Sequence, residues 1–137
     1  MNRAEIESVY PDEARAQEFL GYARGFFADA ESPSLTQPGS FFLLYQACLA
    51  GMDALLAATG SRVTSGEESH RVRIDEAARI AGSAYTELFE RLDVWRADRN
   101  QVSYAAFEPS GGAVDALRTD ASDLLDTVER ILAEERG

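Results

Sequence analysis

Four stretches of this chain carry apolar residues at helical spacing, and polar breaks separate them. Phe19, Leu20, Ala23, Phe26, Phe27 and Ala30 recur on one face. They predict a first helix that starts at Pro11, with Asp12 and Glu13 beside the positive end of its dipole. Residues 31–39 contain Pro33, Pro38 and Gly39 among small polar residues and read as a loop. From about Ser40 to Thr59 the chain is apolar nearly all round, with Gln46 and Asp53 as the strongly polar interruptions. Gly60 suits the left-handed position after a helix. A helix of that composition is either enclosed by others or buried in a dimer.

A polar stretch, residues 60–71, follows. Ile74, Ala77, Ala78, Ala81, Tyr85, Leu88, Phe89, Leu92 and Trp95 or Arg96 then keep one face. That spacing predicts a single third helix of about six turns, beginning near Val72 to Asp75. Gly82 inside it costs about 1 kcal/mol against alanine, which points to close helix packing at that position. Glu108-Pro109-Ser110-Gly111-Gly112 is a break. A fourth helix carries Val114, Leu117, Ala121, Leu124, Leu125, Val128, Ile131 and Leu132 on one side and charged residues on much of the other. No alternating strand pattern and no internal repeat stands out. The expected fold is all-α, an up-and-down bundle of four long helices in a single domain spanning residues 1–137.

Composition narrows the function classes. A chain of 137 residues can bury its own core without disulfides or a structural metal. The net charge of −11 argues against a general DNA or RNA binder and against docking to an anionic membrane. The chain has no lysine, so apart from His70 every basic side chain is arginine; codon bias is the simpler explanation, and a need for bidentate anion contacts the alternative. Cys48 is the single cysteine, which excludes an intramolecular disulfide and fits a reducing, cytoplasmic setting. Its apolar surroundings predict a buried, inert thiol. The N-terminus lacks the basic start and apolar core of a signal peptide. Phe41 to Ala58 approaches membrane-span length, but Gln46 and Asp53 interrupt it and a buried core helix is the better reading.

Candidate chemistry is sparse. One histidine and one cysteine offer no metal-ligand set, no glycine-rich phosphate loop is present, and no cofactor is implied. What remains is positive charge gathered in a negative chain: Arg62, His70, Arg71, Arg73, Arg79, Arg91, Arg96 and Arg99 all fall before, within or at the end of the third helical stretch. Arg96 and Arg99 share a helix face. They are either ordinary surface ion pairs with Asp93 and Asp98, or an anion site in which Arg99 and Asn100 donate to a phosphate and Tyr104 offers a hydroxyl.

The motif Arg99-Asn100-x-x-x-Tyr104, at the end of a long helix in a small helical chain, resembles that of the HEPN superfamily. The segment Gly66-Glu67-Glu68-Ser69-His70-Arg71 is similar to one found at the same place in bacterial HEPN groups. The resemblance covers most of the chain by helix order and motif position. It implies a minimal helical bundle that dimerises so that two motifs face each other across a cleft. In active members an arginine stabilises phosphate charge and a histidine helps activate the ribose hydroxyl, cutting RNA without metal. Arg99 matches the arginine, and Tyr104 stands where the histidine is expected. A phenol with a pKa near 10 is a poor base at neutral pH; His70 is the substitute if the polar segment folds back over the helix end, and is otherwise a solvent-exposed loop histidine, the commoner case.

Three functions stay open: a homodimeric module binding RNA, a nucleotide or a protein partner through Arg96, Arg99, Asn100 and Tyr104, with Arg71 and Arg73 contributing; a metal-independent endoribonuclease of toxin type using Arg99 with His70 or Tyr104; and a structural helical protein. A partner nucleotidyltransferase, known for other HEPN branches, would favour the toxin reading.

Overall fold

The structure, a computed structural model, describes residues 2–103 and 108–136. It is all-α: the described residues form five helices, one 3₁₀ turn and one two-stranded ribbon. The helix α1 spans Glu13–Asp29, and Asp12 rather than Pro11 opens it, its carboxylate accepting a hydrogen bond from the Arg15 amide at 2.9 Å. The helix α2 spans Gln37–Thr59, capped by Thr36, whose hydroxyl accepts from the Gly39 amide. It ends at Gly60 with φ +86°, a left-handed turn in which a side chain would also strike the Val9 carbonyl oxygen at 2.7 Å.

The apolar character of α2 is satisfied within one chain. Phe41, Leu44, Met52 and Leu55 are fully enclosed, and α1, α5, α3 and α4 all pack on this one helix. By length and composition α2 could cross a membrane, yet 72% of its most apolar window is buried inside the protein. Of the two settings expected for so apolar a helix, the chain supplies the first, and nothing in α2 itself asks for a second copy.

The third helix is not one rod. The helix α3 spans Ser69–Ala81, a single 3₁₀ turn covers Ser83–Tyr85, and α4 spans Thr86–Ser103. Gly82 between them has φ +98° and ψ 170°, a conformation nearly closed to residues with a Cβ. No atom lies within 4 Å of where its Cβ would stand, so the glycine serves the bend and not close helix packing. The chain reverses there, and Arg71, Asp75 and Ala78 of α3 line one groove with Thr86, Glu90 and Asp93 of α4. The reversal brings the start of α3 back to the end of α4.

The last helix, α5, spans Gly111–Arg136 and closes the core with Leu117, Leu124, Val128 and Leu132. Arg24 of α1 bonds Glu129 of α5 at 2.9 Å through Nε. Two strands complete the fold, β1 at Ile6–Ser8 and β2 at Ser61–Val63, antiparallel with Ile6 opposite Val63. The Ala4 amide donates to the Glu67 carbonyl at 2.9 Å, and Arg3 pairs with Glu68, so the N-terminal segment clasps the connection that leads into α3.

Candidate functional site

Three helices contribute to one cluster. α3 presents His70 at its second residue, with Arg73 one turn on; α2 presents Tyr45 and Asp53; α4 presents Arg96 and Arg99 from its final turns. Tyr45 Oη and His70 Nδ1 lie 3.3 Å apart, with ring centroids separated by 5.6 Å. The guanidinium of Arg99 sits 5.7 Å from the centre of the Phe42 ring, over its face. Arg73 Nε donates to Asp53 at 2.8 Å, and Arg96 Nε donates to Asp93 at 2.8 Å.

His70 and the arginine pair stand 26 and 29 positions apart in sequence, and the reversal at Gly82 is what joins them. The sequence expectation had the polar segment fold back over the end of one continuous helix; instead His70 belongs to α3 itself, and the break at Gly82 returns that helix along α4. Arg71 and Asn100 are exposed at the rim. Tyr104 lies outside the described residues. Tyr45 was not among the sequence candidates, because an aromatic in an apolar helix reads as core, and at 1% exposure it is core as well.

Electrostatics at the site follow from burial and from the arginines. Burial first, and then the charges of Arg73, Arg99 and Arg96, hold the His70 imidazole down to about 4. The ring is therefore neutral at pH 7. Burial pushes the Tyr45 phenol above its ordinary range, so it stays protonated. With the phenol donating to Nδ1, His70 carries its proton on Nε2 and is a donor. With Nδ1–H donating to the phenol oxygen, Nε2 keeps a lone pair and is a base. Burial raises Asp53, and Arg73 opposes that shift. Cys48 is fully buried, and burial holds its thiol far above the range of a nucleophile.

Glu68, immediately before α3, has φ 61° and is the only non-glycine residue with positive φ among the described residues. Its carboxyl is held below the usual range by the hydrogen bond from Arg3, with Arg71 and Arg96 adding to the effect. A strained residue at the edge of a charged cluster is a feature of functional sites, where the surrounding structure holds the backbone in place. Among the described residues no group of three or more His, Cys, Asp and Glu side chains is placed to hold a metal ion.

The neutrality of His70 has a measurable consequence. Its folded-state value lies below the roughly 6.5 of a free histidine, so the unfolded chain binds the proton first as pH falls. The stability tied to the neutral ring is complete above about pH 6.5 and is lost as pH drops toward 4. Allowing for solvent screening of a half-buried ring, the loss amounts to about 1–2 kcal/mol. Urea titrations at pH 7.5 and 4.5 on the wild type and His70→Gln read it directly. The variant is expected to lose less stability on acidification by that margin; equal losses would put the ring in ordinary solvent.

Two grooves flank the Arg73–Asp53 pair. One, of about 480 Å³, runs beneath Val9 and Tyr10 beside Arg15 and Arg62. The other, of about 500 Å³, opens between α1, α2 and α3 with His70 and Arg73 at its edge. No family model matches the chain, and no curated protein or solved structure matches it either.

Proposed function

We propose that this protein is a HEPN-like helical module, acting in the cytoplasm as a homodimer, that binds a phosphate of RNA or of a nucleotide at Arg96, Arg99 and His70 with weak or no cleavage. The observation that carries the reading is the meeting of His70 with Arg73, Arg96 and Arg99 from opposite ends of an antiparallel helix pair. Asp53 and Asp93 each take the Nε–H of one arginine, so the anion site in this chain of net charge −11 rests on the remaining guanidinium donors of the cluster. The HEPN motif arginine is the natural match for Arg99, and His70 stands near it where the motif offers only Tyr104.

A second reading has one specific observation in its favour. An imidazole with a free Nε2 lone pair beside phosphate-binding arginines is the arrangement of metal-free RNA cleavage, the ring accepting the proton of the attacking ribose hydroxyl; held down to about 4, His70 would be a weak base and turnover slow. In that case the module is an endoribonuclease of toxin type, with a partner nucleotidyltransferase as its regulator. The homodimer rests on the family resemblance, since the apolar surface of α2 is already covered.

Incubation of the purified protein with mixed RNA in EDTA tests both readings, with Arg99→Ala and His70→Ala in parallel and RNA affinity measured on the same samples. Binding weakened about tenfold or more in Arg99→Ala, without cleavage by the wild type, is the expected result. Cleavage that both substitutions remove would establish the nuclease. Absence of both binding and cleavage would leave a structural bundle, and a monomeric mass at micromolar concentration would remove the shared cleft.

A further inference from the structure

The groove between α1, α2 and α3 carries one exposed ring, Tyr22, among side chains that otherwise belong to the core or to the charged cluster. The face that α1 turns to the core carries Ala16, Leu20 and Ala23, two of them alanines. Phe19, Tyr22 and Phe26 follow one another at helical spacing along the groove. Phe19 and Tyr22 meet edge to face at 6.5 Å and 78°, which fixes the Tyr22 ring, yet Tyr22 remains 52% exposed. Phe19, Phe26 and Phe27 are half-buried and pack against the core in the ordinary way, which leaves Tyr22 as the one ring of α1 turned largely to solvent. A single exposed tyrosine needs no explanation; an exposed one braced by a second ring over an open groove is a stacking platform.

The opposite wall sets Gln46 beside the apolar Leu49 and Ala50, with Asp53 paired to Arg73 at its end. Gln46 is exposed there and offers an amide with both donor and acceptor atoms. The groove ends at His70 and Arg73, the same side chains that border the anion site. Its volume of about 500 Å³ accommodates a base with its sugar and falls within the roughly 300–1,000 Å³ of small-molecule sites. Aromatic face, hydrogen-bonding edge and adjacent guanidinium groups together match one unit of single-stranded nucleic acid: a planar base, its polar edge and its phosphate.

We infer that this groove is a nucleobase subsite, in which an unpaired base stacks on Tyr22, presents its edge to Gln46 and is joined to a phosphate held at the Arg96/Arg99 end. The inference rests on the anion-site reading above and adds the substrate class, an unpaired nucleotide. A base within a duplex is stacked on both faces and cannot enter. Tyr22 supplies binding, not chemistry, and Gln46 discriminates between bases.

The test is fluorescence anisotropy with a labelled single-stranded RNA hexamer, an abasic hexamer of the same length and the hexamer annealed to its complement. The proteins are the wild type, Tyr22→Ala, Tyr22→Phe, Gln46→Ala and Arg99→Ala, all checked for helical content and melting. Tyr22→Ala is expected to weaken the hexamer about tenfold while Tyr22→Phe binds as the wild type does. The abasic hexamer and the duplex should bind wild type and Tyr22→Ala alike. Gln46→Ala should level the differences between homopolymer hexamers. Unlabelled adenosine 5′-monophosphate as competitor assigns the groove to a free nucleotide if it displaces the hexamer at comparable concentration, and to RNA if it does not. Hexamer binding that Arg99→Ala weakens and Tyr22→Ala leaves untouched would overturn the subsite and keep the anion site. Loss on Tyr22→Ala with none on Arg99→Ala would overturn the anion site and keep the groove. No hexamer binding by the wild type would overturn both.

Discussion

Replacing Leu55 with alanine is expected to lower the stability of this protein by about 3–5 kcal/mol. Leu55 is fully buried in the helix that every other helix packs upon. Truncation at such a position removes the transfer energy of the lost methyl groups and leaves a cavity besides. How much of the cavity closes depends on whether a neighbour can move into it. Here α1, α3, α4 and α5 all share α2 as their support, so a shift of any one toward the gap opens another against the core. The upper part of the usual range follows. For a domain of this size the melting temperature should fall by about 10–20 °C. Gln46→Ala on the same helix, exposed, should change stability by about 0.5 kcal/mol at most. Calorimetry on both variants checks the contrast, and a Leu55→Ala melt within a few degrees of wild type would mean that α2 is not the support it looks to be.

The elements read most readily from the sequence are those whose faces touch this core. The first, second and last helices follow from apolar spacing, and Gly60 from its chemistry. The break at Gly82 was illegible for a physical reason. α3 and α4 both turn their apolar sides to the core, so Ile74, Ala77, Ala78, Tyr85, Leu88 and Leu92 keep helical spacing straight through the reversal. A glycine in such a run reads as a small propensity cost, whereas its φ of +98° shows that it reverses the chain. The ribbon of β1 and β2 has three residues a strand, and β1 is wholly exposed, so no alternation could announce it.

The site was legible in its parts and not in its assembly. The arginines and His70 stood out against an acidic chain, but their meeting depends on the turn at Gly82. Asp53 carried a usable signal: a carboxylate inside an apolar helix needs a cationic partner, and Arg73 supplies it. Tyr45 carried none, since the same burial that makes it look like core also keeps its phenol protonated beside His70. The aromatic stripe of α1 appeared as one broad apolar face, because periodicity does not separate a face turned to the core from a ring turned to a groove.

Asp120→Ala is expected to cost about 3 kcal/mol and to weaken the anion site without touching it. Asp120 of α5 is 5% exposed, and both of its oxygens are engaged: Oδ1 accepts from Arg91 Nε at 2.9 Å and Oδ2 from Trp95 Nε1 at 2.7 Å. Arg91 is half exposed, so on losing its partner it can turn to water at small cost. Trp95 cannot do so as easily. Its ring packs edge to face on the buried Phe41 at 6.0 Å, and without Asp120 the indole N–H is left in a poorly solvated position. The loss therefore comes chiefly from the tryptophan side, at the lower end of what breaking a buried charged contact costs. Trp95 is next to Arg96 and one turn from Arg99, so a looser indole loosens the part of α4 that presents both guanidinium groups. Denaturant titration measures the first effect and hexamer affinity the second. Asp120→Asn, which keeps an acceptor for Trp95, should recover most of the stability and the affinity together. Recovery of stability with affinity still reduced would instead mean that the Asp120 charge acts on the site directly and not through the placement of α4.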